Sequence, residues 1–486
     1  MNDFLACAPI WLPVAGFLAI LLVETFAPEL GANAPEDGGR APARHARLSA
    51  LLAALALGAA LVSTFTAPAV AEPYGLFATD GLARGLQALL LAIGLATIAL
   101  GEPLLAELRL GRAEFHALLL ASLSGMMLLA GARDLLVFFL GIELLSIPLY
   151  VLAAYRRLRA DSVESGFKYF LLGAFASGFL VYGIALLYGA AGSLDYRQLR
   201  ALADAPGSQT VLWHVGLALF LVGVSFKIAA APFHSWAPDV YHGAPTPVTA
   251  FMAAGVKAAA FGATLRLALE VLPDSPALRA GLSFTAVASM VAGNLGALLQ
   301  THLKRMLAWS SIGHAGYLLL GIQAALRTRS PEAQNAVLFY LGTYALTTVA
   351  AFALLMHLMR HAQEGLDLRA LRGLARSRPL IAAALTLCFL SLAGVPLTAG
   401  FLGKLYLLQA AWRADLVGLS LVLVGTSVVA LGYYLRVVAT LYMEPDPETR
   451  APLFLSLPLV FASTCTSVGI LVVGVWPEPL LRFLVH

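Results

Sequence analysis

Apolar runs of about 20 residues, separated by short polar connections, repeat along almost the whole chain. About 20 apolar residues in an α-helix cross the hydrocarbon core of a bilayer, so each run predicts one membrane-spanning helix. The pattern therefore predicts an all-α integral membrane protein that forms a single membrane domain over residues 1–486. We expect about fourteen crossings, at 7–27, 48–68, 82–100, 115–132, 134–155, 165–190, 211–235, 245–269, 276–298, 306–325, 333–359, 379–412, 416–443 and 453–476.

Two of these predicted helices should be interrupted. The run 211–235 contains Pro232 and is followed by Pro238, and the run 379–412 is too long for one straight crossing and contains Pro396 within GVPLTAG. Because proline removes a backbone donor and clashes with the preceding turn, we expect helix breaks at these three prolines. Interrupted helices in corresponding positions of two halves are typical of transporters built from inverted repeats.

Composition supports the membrane assignment. The chain is 60% hydrophobic and 12% charged, with a mean hydropathy of +0.83. Soluble domains carry roughly twice that charged fraction. The net charge is only +4 and no basic run exists, so the sequence gives no indication of nucleic-acid binding. The longest polar connections, 28–47 and 360–378, are too short for an extramembrane domain, so energy must arrive from a partner or an ion gradient.

Basic residues are distributed unevenly between the alternating connections. The larger set includes Arg156, Arg157, Arg159, Arg376 and Arg378. By the positive-inside rule this set faces the cytoplasm. Together with an even number of crossings, this predicts a multi-pass membrane protein with both termini facing outward.

The chain lacks the sequence signatures of a cofactor or metal site. Cys7, Cys388 and Cys465 lie alone in apolar runs, and no CxxC occurs. There is also no Walker A motif and no GxGxxG. We therefore expect no nucleotide, metal or redox cofactor to bind within this chain.

Several ionisable residues fall inside the apolar runs, namely Glu143, Lys227, Lys257, Lys404 and His314. A charged group at the bilayer centre costs about 2.5–3.5 kcal/mol on insertion scales, so such residues rarely face lipid. Burial favours the neutral amine of a lysine, whereas a nearby carboxylate favours the ammonium form. A Glu–Lys pair that is made and broken can therefore take up and release a proton, which arginine cannot do.

Two alternatives remain open for these residues. Glu143 and Lys227 can instead form a static ion pair that fixes helix packing. His234 and His242 flank the first predicted break, and each is either a core histidine satisfied by backbone groups or part of a proton relay.

Four stretches of the chain carry a family resemblance. They are FKYFLLGAFASGFLVYGIALLYGAAGS (167–193), FKIAAAPFHSWAPDVYHGAPTPVTAFMAAGVKAAAF (226–261), LKRMLAWSSIGHAGY (303–317) and GVPLTAGFLGKLY (394–406). They resemble the antiporter-like membrane subunits of NADH:quinone oxidoreductase, respiratory complex I. The KYFLLGA pattern and the lysine at position 404 are most similar to the subunit N branch of that family.

The resemblance implies a fourteen-helix fold with two inverted five-helix repeats, each with one broken helix. The repeats would cover 113–272 and 273–445, between N-terminal helices at 1–112 and a last helix at 446–486. It also implies a coupled pair, Glu143 and Lys227, a central relay at Lys257, a second-half proton site at Lys404, and His314 on the path between them.

The resemblance further implies that NADH, flavin, iron–sulfur clusters and quinone are handled by partner subunits. The expected partners are other complex I subunits, especially the neighbouring antiporter-like and small membrane subunits, together with the lipid bilayer and protons. The expected function is redox-driven proton translocation. The alternative is a subunit of an Mrp-type sodium/proton antiporter, and a solute transporter fits less well because lysines and histidines dominate the midplane.

Overall fold

The computed structural model of the chain describes residues 2–26, 42–68, 70, 72–108, 110–205, 210–359, 367–443, 445 and 453–485. Most of the predicted polar connection 28–47, and residues 360–366 of the connection 360–378, lie outside this range. The described chain is α-helical apart from connections and short 3₁₀ and π turns, which confirms the predicted all-α class.

Ten helices form the N-terminal half. They are α1 (Asn2–Ala6), α2 (Ala8–Phe26), α3 (Pro42–Thr66), α4 (Gly81–Leu108), α5 (Arg112–Gly131), α6 (Leu135–Ala153), α7 (Ala160–Ala191), α8 (Tyr196–Asp204), α9 (Val211–Lys227) and α10 (Trp236–Gly243).

Eleven further helices complete the described chain. They are α11 (Thr246–Phe251), α12 (Lys257–Glu270), α13 (Pro276–Leu298), α14 (Leu303–Thr328), α15 (Pro331–Met356), α16 (Leu374–Ser377), α17 (Pro379–Ala393), α18 (Ala399–Arg413), α19 (Val417–Met443), α20 (Leu457–Val475) and α21 (Glu478–Val485).

Within the described residues, 11 helical stretches are long and apolar enough to cross a membrane, with α11 and α12 counted as one stretch. This confirms a multi-pass membrane protein. The count of fourteen stays a prediction, because α9 and α17 are apolar but shorter than a full span. α14 is long, yet it is not among the eleven.

The centre of the molecule is the stretch formed by α11, a π turn at Met252–Val256, and α12. Every residue from Thr246 to Ala268 is buried. A helix that is apolar on all sides belongs inside a bundle, whereas the outer helices need only one packed face. α12 contacts α4, α5, α14 and α15, so it joins the N-terminal and C-terminal helices of the bundle. The π turn ends immediately before Lys257.

The first helix break lies between α9 and α10. α9 ends at Lys227, and residues 228–235 are irregular, with a cis Ala231–Pro232 peptide and a positive φ at Ala229. Pro232 lies in this break as predicted. Pro238 does not, because it occupies the first turn of α10, where a missing N–H leaves no helical hydrogen bond unmade. The prediction of a break at Pro238 is therefore wrong.

The second break separates α17 from α18 and contains Pro396. α17 ends at Ala393. The following Gly394 is in the left-handed conformation, with φ 86°, and Leu397 also has a positive φ. The Gly400 backbone approaches Ser391 so closely that a Cβ at this position would meet its carbonyl oxygen. The two half-helices thus pack tightly across the irregular segment.

Candidate functional site

Lys227 is the last residue of α9, and its side chain is buried at the first break. Its ammonium donates to Ser146 Oγ of α6 at 2.6 Å and lies 3.4 Å from the Tyr169 hydroxyl. The Nζ atom also stands 5.4 Å from the centre of the Tyr169 ring. The partners of Lys227 are therefore neutral oxygens and an aromatic face. An aromatic face attracts the ammonium form, but these partners carry no negative charge that would keep the lysine protonated.

Glu143 lies one helical turn before Ser146 on the same helix, α6. Its carboxylate accepts a hydrogen bond from Ser177 of α7 at 2.5 Å. No ion pair joins Glu143 to Lys227 among the described residues, so the expected pair is not in direct contact. Lys227 contacts Ser146 and Glu143 contacts Ser177, so the carboxylate is not a direct ligand of the lysine in the described structure.

Lys257 begins α12 and is 4% exposed. Its ammonium donates to the main-chain oxygen of Ser311 in α14 and lies 5.3 Å from the centre of the Tyr344 ring. No carboxylate contacts it in the described part of the chain. The π turn before Lys257 widens the helix at this point, a distortion that is common at functional positions.

Lys404 lies in α18, eight residues after Pro396. Its ammonium donates to the Ala393 carbonyl, at the end of α17, at 2.8 Å, and stands 5.2 Å from the Tyr317 ring centre. The C-terminal end of a helix carries partial negative charge, so it stabilises a cation without a carboxylate. Gly394 leaves room for this side chain, since a Cβ there would lie 2.9 Å from Lys404 Cδ.

His314 is buried in α14 between tyrosine hydroxyls from two other helices. Its Nδ1 lies 2.6 Å from the Tyr340 hydroxyl, and its Nε2 lies 3.4 Å from that of Tyr434. The Tyr434 hydroxyl in turn contacts Ser310. A neutral imidazole offers one donor and one acceptor, so the ring can pass a proton between its two sides.

A small cavity connects His314 with Lys404. It leaves about 10 Å³ for the centre of a water molecule, and Thr343, Thr347 and Ser391 contribute hydroxyls to its wall. This volume is about the minimum that holds one water molecule, and the hydroxyl groups of the wall can form hydrogen bonds to it. The cavity therefore has room for one water molecule between the histidine and the lysine.

The two candidate relay histidines lie at different places, His234 within the first break and His242 in the last turn of α10. His234 is half-buried beside the Trp309 ring, and its Nδ1 has no hydrogen-bond partner among the described atoms. The Nδ1 of His242 lies 3.4 Å from the Nδ1 of His302, the residue that precedes α14. Burial, His242 and the Lys304 charge lower the pKa of His302 to about 4.

Two buried cations were missed in the sequence. Lys304 donates to the Ala244 carbonyl at 2.6 Å, at the end of α10, although the charge pattern assigns it to a polar connection. Arg266 is 1% exposed and lies in the same apolar run as Lys257. A charge within an apolar run is the sequence signal that marks Arg266.

Arg266 belongs to a charged network at the end of α12. Its guanidinium contacts both carboxylate oxygens of Asp80, at 2.8 and 2.7 Å, and Glu270 at 2.8 Å. Arg133 joins the network through Glu270 at 3.0 Å and Glu72 at 2.5 Å. Burial alone would raise the pKa of Asp80, but the hydrogen bonds and charge of Arg266 hold it below its usual range.

The buried groups thus form a series with common chemistry. Lys227, Lys257, Lys404 and His314 each contact neutral hydroxyl or carbonyl oxygens. Each can exist charged or neutral without breaking an ion pair in the described structure. Groups of this kind can accept and release protons within the interior.

Comparison by sequence identifies close relatives. The family described as NADH:quinone oxidoreductase/Mrp antiporter, TM, matches residues 132–430. The chain is 41% identical over 441 residues to NADH-quinone oxidoreductase subunit N 2 of Roseiflexus castenholzii, which covers 87% of this chain and 88% of that protein.

Comparison by structure gives the same fold in two kinds of assembly. A chain of respiratory complex I from Thermus thermophilus with bound Aureothin matches with a TM-score of 0.80 and 36% identity over 98% of each chain. A chain of the Mrp complex from Dietzia sp. matches with a TM-score of 0.81 but 22% identity, over 99% of this chain and 96% of that one. The second likeness concerns the fold alone.

Proposed function

Since the chain belongs to the family of NADH-quinone oxidoreductase subunit N, we propose that its buried lysines and histidine carry the protons that such a complex translocates. Electron transfer from NADH to quinone would take place in other subunits, and this chain would hold no flavin, cluster or quinone of its own. A charge rearrangement in the neighbouring subunits would then drive proton movement here.

The observation that carries this proposal is the set of neutral partners around Lys227, Lys257 and Lys404. A lysine bound to hydroxyl or carbonyl oxygens can lose its proton without leaving a carboxylate unpaired. An arginine in the same place would remain charged at all accessible pH values. Lysine at each of these positions is therefore the residue that a proton carrier requires.

We assign the roles along the series from Glu143 to Lys404. Glu143, on the same helix as the Ser146 that contacts Lys227, tunes the charge of that lysine. Lys257 is the central carrier, and its contact with α14 connects it to the helix that carries His314. His314, its tyrosine partners and one water in the small cavity complete the route to Lys404. His234 and His242 lie beside the first break and serve as further relay groups.

The repeat organisation is part of the proposal. Fourteen crossings would contain inverted repeats at 113–272 and 273–445, flanked by 1–112 and 446–486. The two helix breaks support this, since each interrupts an apolar helix and each lies beside a buried lysine. Lys227 precedes its break and Lys404 follows its own, so the two halves differ in detail.

The cellular setting follows from the family and the charge pattern. We propose that the chain lies in a bacterial inner membrane with both termini in the periplasm, next to antiporter-like and small membrane subunits of complex I. An Mrp-type sodium/proton antiporter subunit is the alternative, and it shares the fold. The identity of about 40% to proteins named subunit N favours the redox-linked function.

The decisive experiment exchanges Lys227 in the assembled complex. Lys227→Ala and Lys227→Arg should both strongly lower redox-linked proton pumping in vesicles, with assembly on native gels largely intact, because neither residue releases a proton. Glu143→Gln preserves shape but removes the neighbouring charge, and should also impair pumping.

A static role predicts the opposite order. Arginine at 227 would then restore most pumping, and alanine would instead destabilise the assembly by roughly 3–5 kcal/mol if it stranded a fully buried charge. Full pumping by Lys227→Arg would contradict the proposal. Sodium/proton exchange by the purified chain alone in liposomes would favour the antiporter.

A further inference from the structure

His314 packs against two tyrosine rings in addition to the hydroxyl groups that it contacts. The centre of the Tyr344 ring, on α15, lies 4.9 Å from that of the imidazole, with the planes tilted by 43°. The centre of the Tyr317 ring, on α14, lies 5.5 Å away in an edge-to-face arrangement. Both distances are within the range of direct aromatic contacts, so the histidine touches both rings.

Each of these rings also contacts one of the buried lysines. Lys257 Nζ stands 5.3 Å from the centre of the Tyr344 ring, and Lys404 Nζ stands 5.2 Å from the centre of the Tyr317 ring. A cation within about 6 Å of a tyrosine ring centre is attracted by the negative face of the ring. Bases and rings therefore alternate along this part of the interior, in the order Lys257, Tyr344, His314, Tyr317 and Lys404.

The hydroxyl groups of the two tyrosines have other partners. The Tyr344 hydroxyl interacts with the side chains of Ser311 and Thr348. The Tyr317 hydroxyl accepts a hydrogen bond of 3.2 Å from the Asn294 amide. Each tyrosine is thus held through its oxygen and presents its ring to the bases.

The positive charge in this region has no anionic partner. Among the described residues, no carboxylate contacts Lys257, His314 or Lys404. A proton that moves along the series therefore carries its charge through an interior of low dielectric constant without a countercharge. The two rings each contact two of the bases, so each ring can stabilise the charge before and after a transfer.

Building on the proposed function, we propose that Tyr344 and Tyr317 are charge-stabilising residues of the proton route and act through their ring faces. The Tyr344 ring stabilises the charge as it passes between Lys257 and His314. The Tyr317 ring does the same between His314 and Lys404. Tyr344 has the larger effect, because Lys404 is also stabilised by the C-terminal end of α17, which carries partial negative charge.

The test replaces Tyr344 in the assembled complex by phenylalanine and by phenylalanines that carry one, two or three ring fluorines. Fluorine withdraws electron density from the ring face and weakens its attraction for a cation in steps, whereas the shape of the ring changes little. Tyr344→Phe should keep redox-linked proton pumping in vesicles within about two-fold, and the trifluorinated ring should lower it roughly tenfold. The same series at position 317 should give a smaller graded loss.

Phe339 is the matched control for the fluorinated side chains. It is fully buried on the same helix as Tyr344, and its ring contacts that of Tyr406 without a cation contact in the described structure. Fluorination of Phe339 should leave pumping unchanged. A ring that served only for packing would give equal pumping by every fluorinated side chain at position 344, and this result would overturn the proposal.

Two further outcomes would also decide against the rings. Loss of pumping already in Tyr344→Phe would assign the function to the hydroxyl group. Loss of pumping in Lys257→Arg together with no effect of fluorination would leave the lysine as a proton carrier and remove only the role of the ring. Normal pumping in Lys257→Arg would instead contradict the proposed function itself, and the role of the ring would fall with it.

Discussion

Two buried cations on one helix, Lys257 and Arg266, are held in opposite ways. They are nine residues apart on α12, which is about 14 Å along the helix axis. Arg266 is 1% exposed and contacts two carboxylates, whereas Lys257 is 4% exposed and contacts a carbonyl oxygen and a tyrosine ring. The same helix thus carries one cation with a permanent countercharge and one without.

The difference separates a structural cation from a titratable one. A guanidinium stays charged, so its burial requires paired carboxylates and hydrogen bonds. An amine can give up its proton, and neutral partners tolerate both forms. The chain uses the first arrangement at the end of α12 and the second at Lys257. Lys404 and Lys304 extend the second arrangement, since each donates to a carbonyl at a helix C-terminus.

The largest expected effect comes from exchanging the two cation types. Lys257→Arg should lower redox-linked proton pumping by roughly a hundredfold or to background, because a required proton carrier would be replaced by a fixed charge. Arg266→Lys should leave pumping per assembled complex within about two-fold, because it keeps the positive charge beside Asp80 and Glu270, although it loses the paired hydrogen bonds to Asp80 and should lower stability. Both variants are measured in vesicles at equal complex content.

Similar pumping by the two variants would contradict the distinction between a titratable Lys257 and a structural Arg266. Near-normal pumping by Lys257→Arg would make Lys257 a second structural cation. A complete loss in Arg266→Lys, with the complex assembled, would instead place Arg266 on the proton route.

The next effect concerns stability. Asp80→Ala would leave guanidinium N–H groups of Arg266 without their acceptors, at a cost of about 1.5–3 kcal/mol for hydrogen bonds to a charged group. We expect a lower temperature for dissociation of the complex and unchanged pumping per assembled complex at moderate temperature. Asp204→Ala, which removes an exposed i,i+4 ion pair with Arg200, is the matched control and should change the dissociation temperature little.

Part of this fold has a clear signal in the sequence, and part does not. The apolar runs predicted the all-α membrane class, and Pro232 and Pro396 predicted two helix breaks, because both signals are local in the chain. The prediction of a break at Pro238 was wrong because a proline is also tolerated in the first turn of a helix. The π turn at Met252–Val256 has no distinct sequence signal that we can identify.

The candidate site shows the same limit. The lysines were visible as charges within apolar runs, but their partners come from other helices. Ser146 and Ser311 are ordinary helix residues in sequence, and only the packing of α6 and α14 brings them to Lys227 and Lys257. A Glu143–Lys227 pair that is made and broken was expected from charge, but in the described structure Lys227 contacts Ser146 and Glu143 contacts Ser177. Which of these groups carry protons stays a prediction.

A smaller effect is expected at the second break. In Gly394→Ala, the new Cβ would lie 2.9 Å from Lys404 Cδ, and the residue would keep a positive φ that costs about 1–2 kcal/mol outside glycine. We expect a lower dissociation temperature together with reduced pumping, because the Lys404 side chain must move. Gly425→Ala, where no atom lies within 4 Å of the new Cβ, should have neither effect. Unchanged pumping in Gly394→Ala would weaken the role of Lys404.

The smallest expected effect concerns His302, a buried basic side chain that stays neutral in the folded protein at neutral pH. His302 faces His242, Lys304, Arg305 and Asp367, and burial followed by the neighbouring positive charges lowers its pKa to about 4. The usual histidine value is about 6.5. The folded protein therefore binds fewer protons here than the unfolded chain between these two values. The contribution of His302 to the stability of the protein is fully present above about pH 6.5 and is lost as the pH falls toward 4.

We expect the dissociation temperature of His302→Asn to equal that of the parent at pH 7.5 and to exceed it at pH 5.5. The two proteins should be compared across this range in one buffer series. A parallel decline of both with falling pH would show that His302 contributes nothing to acid sensitivity, and the division into paired, neutral-partnered and uncharged groups would then lack its third member.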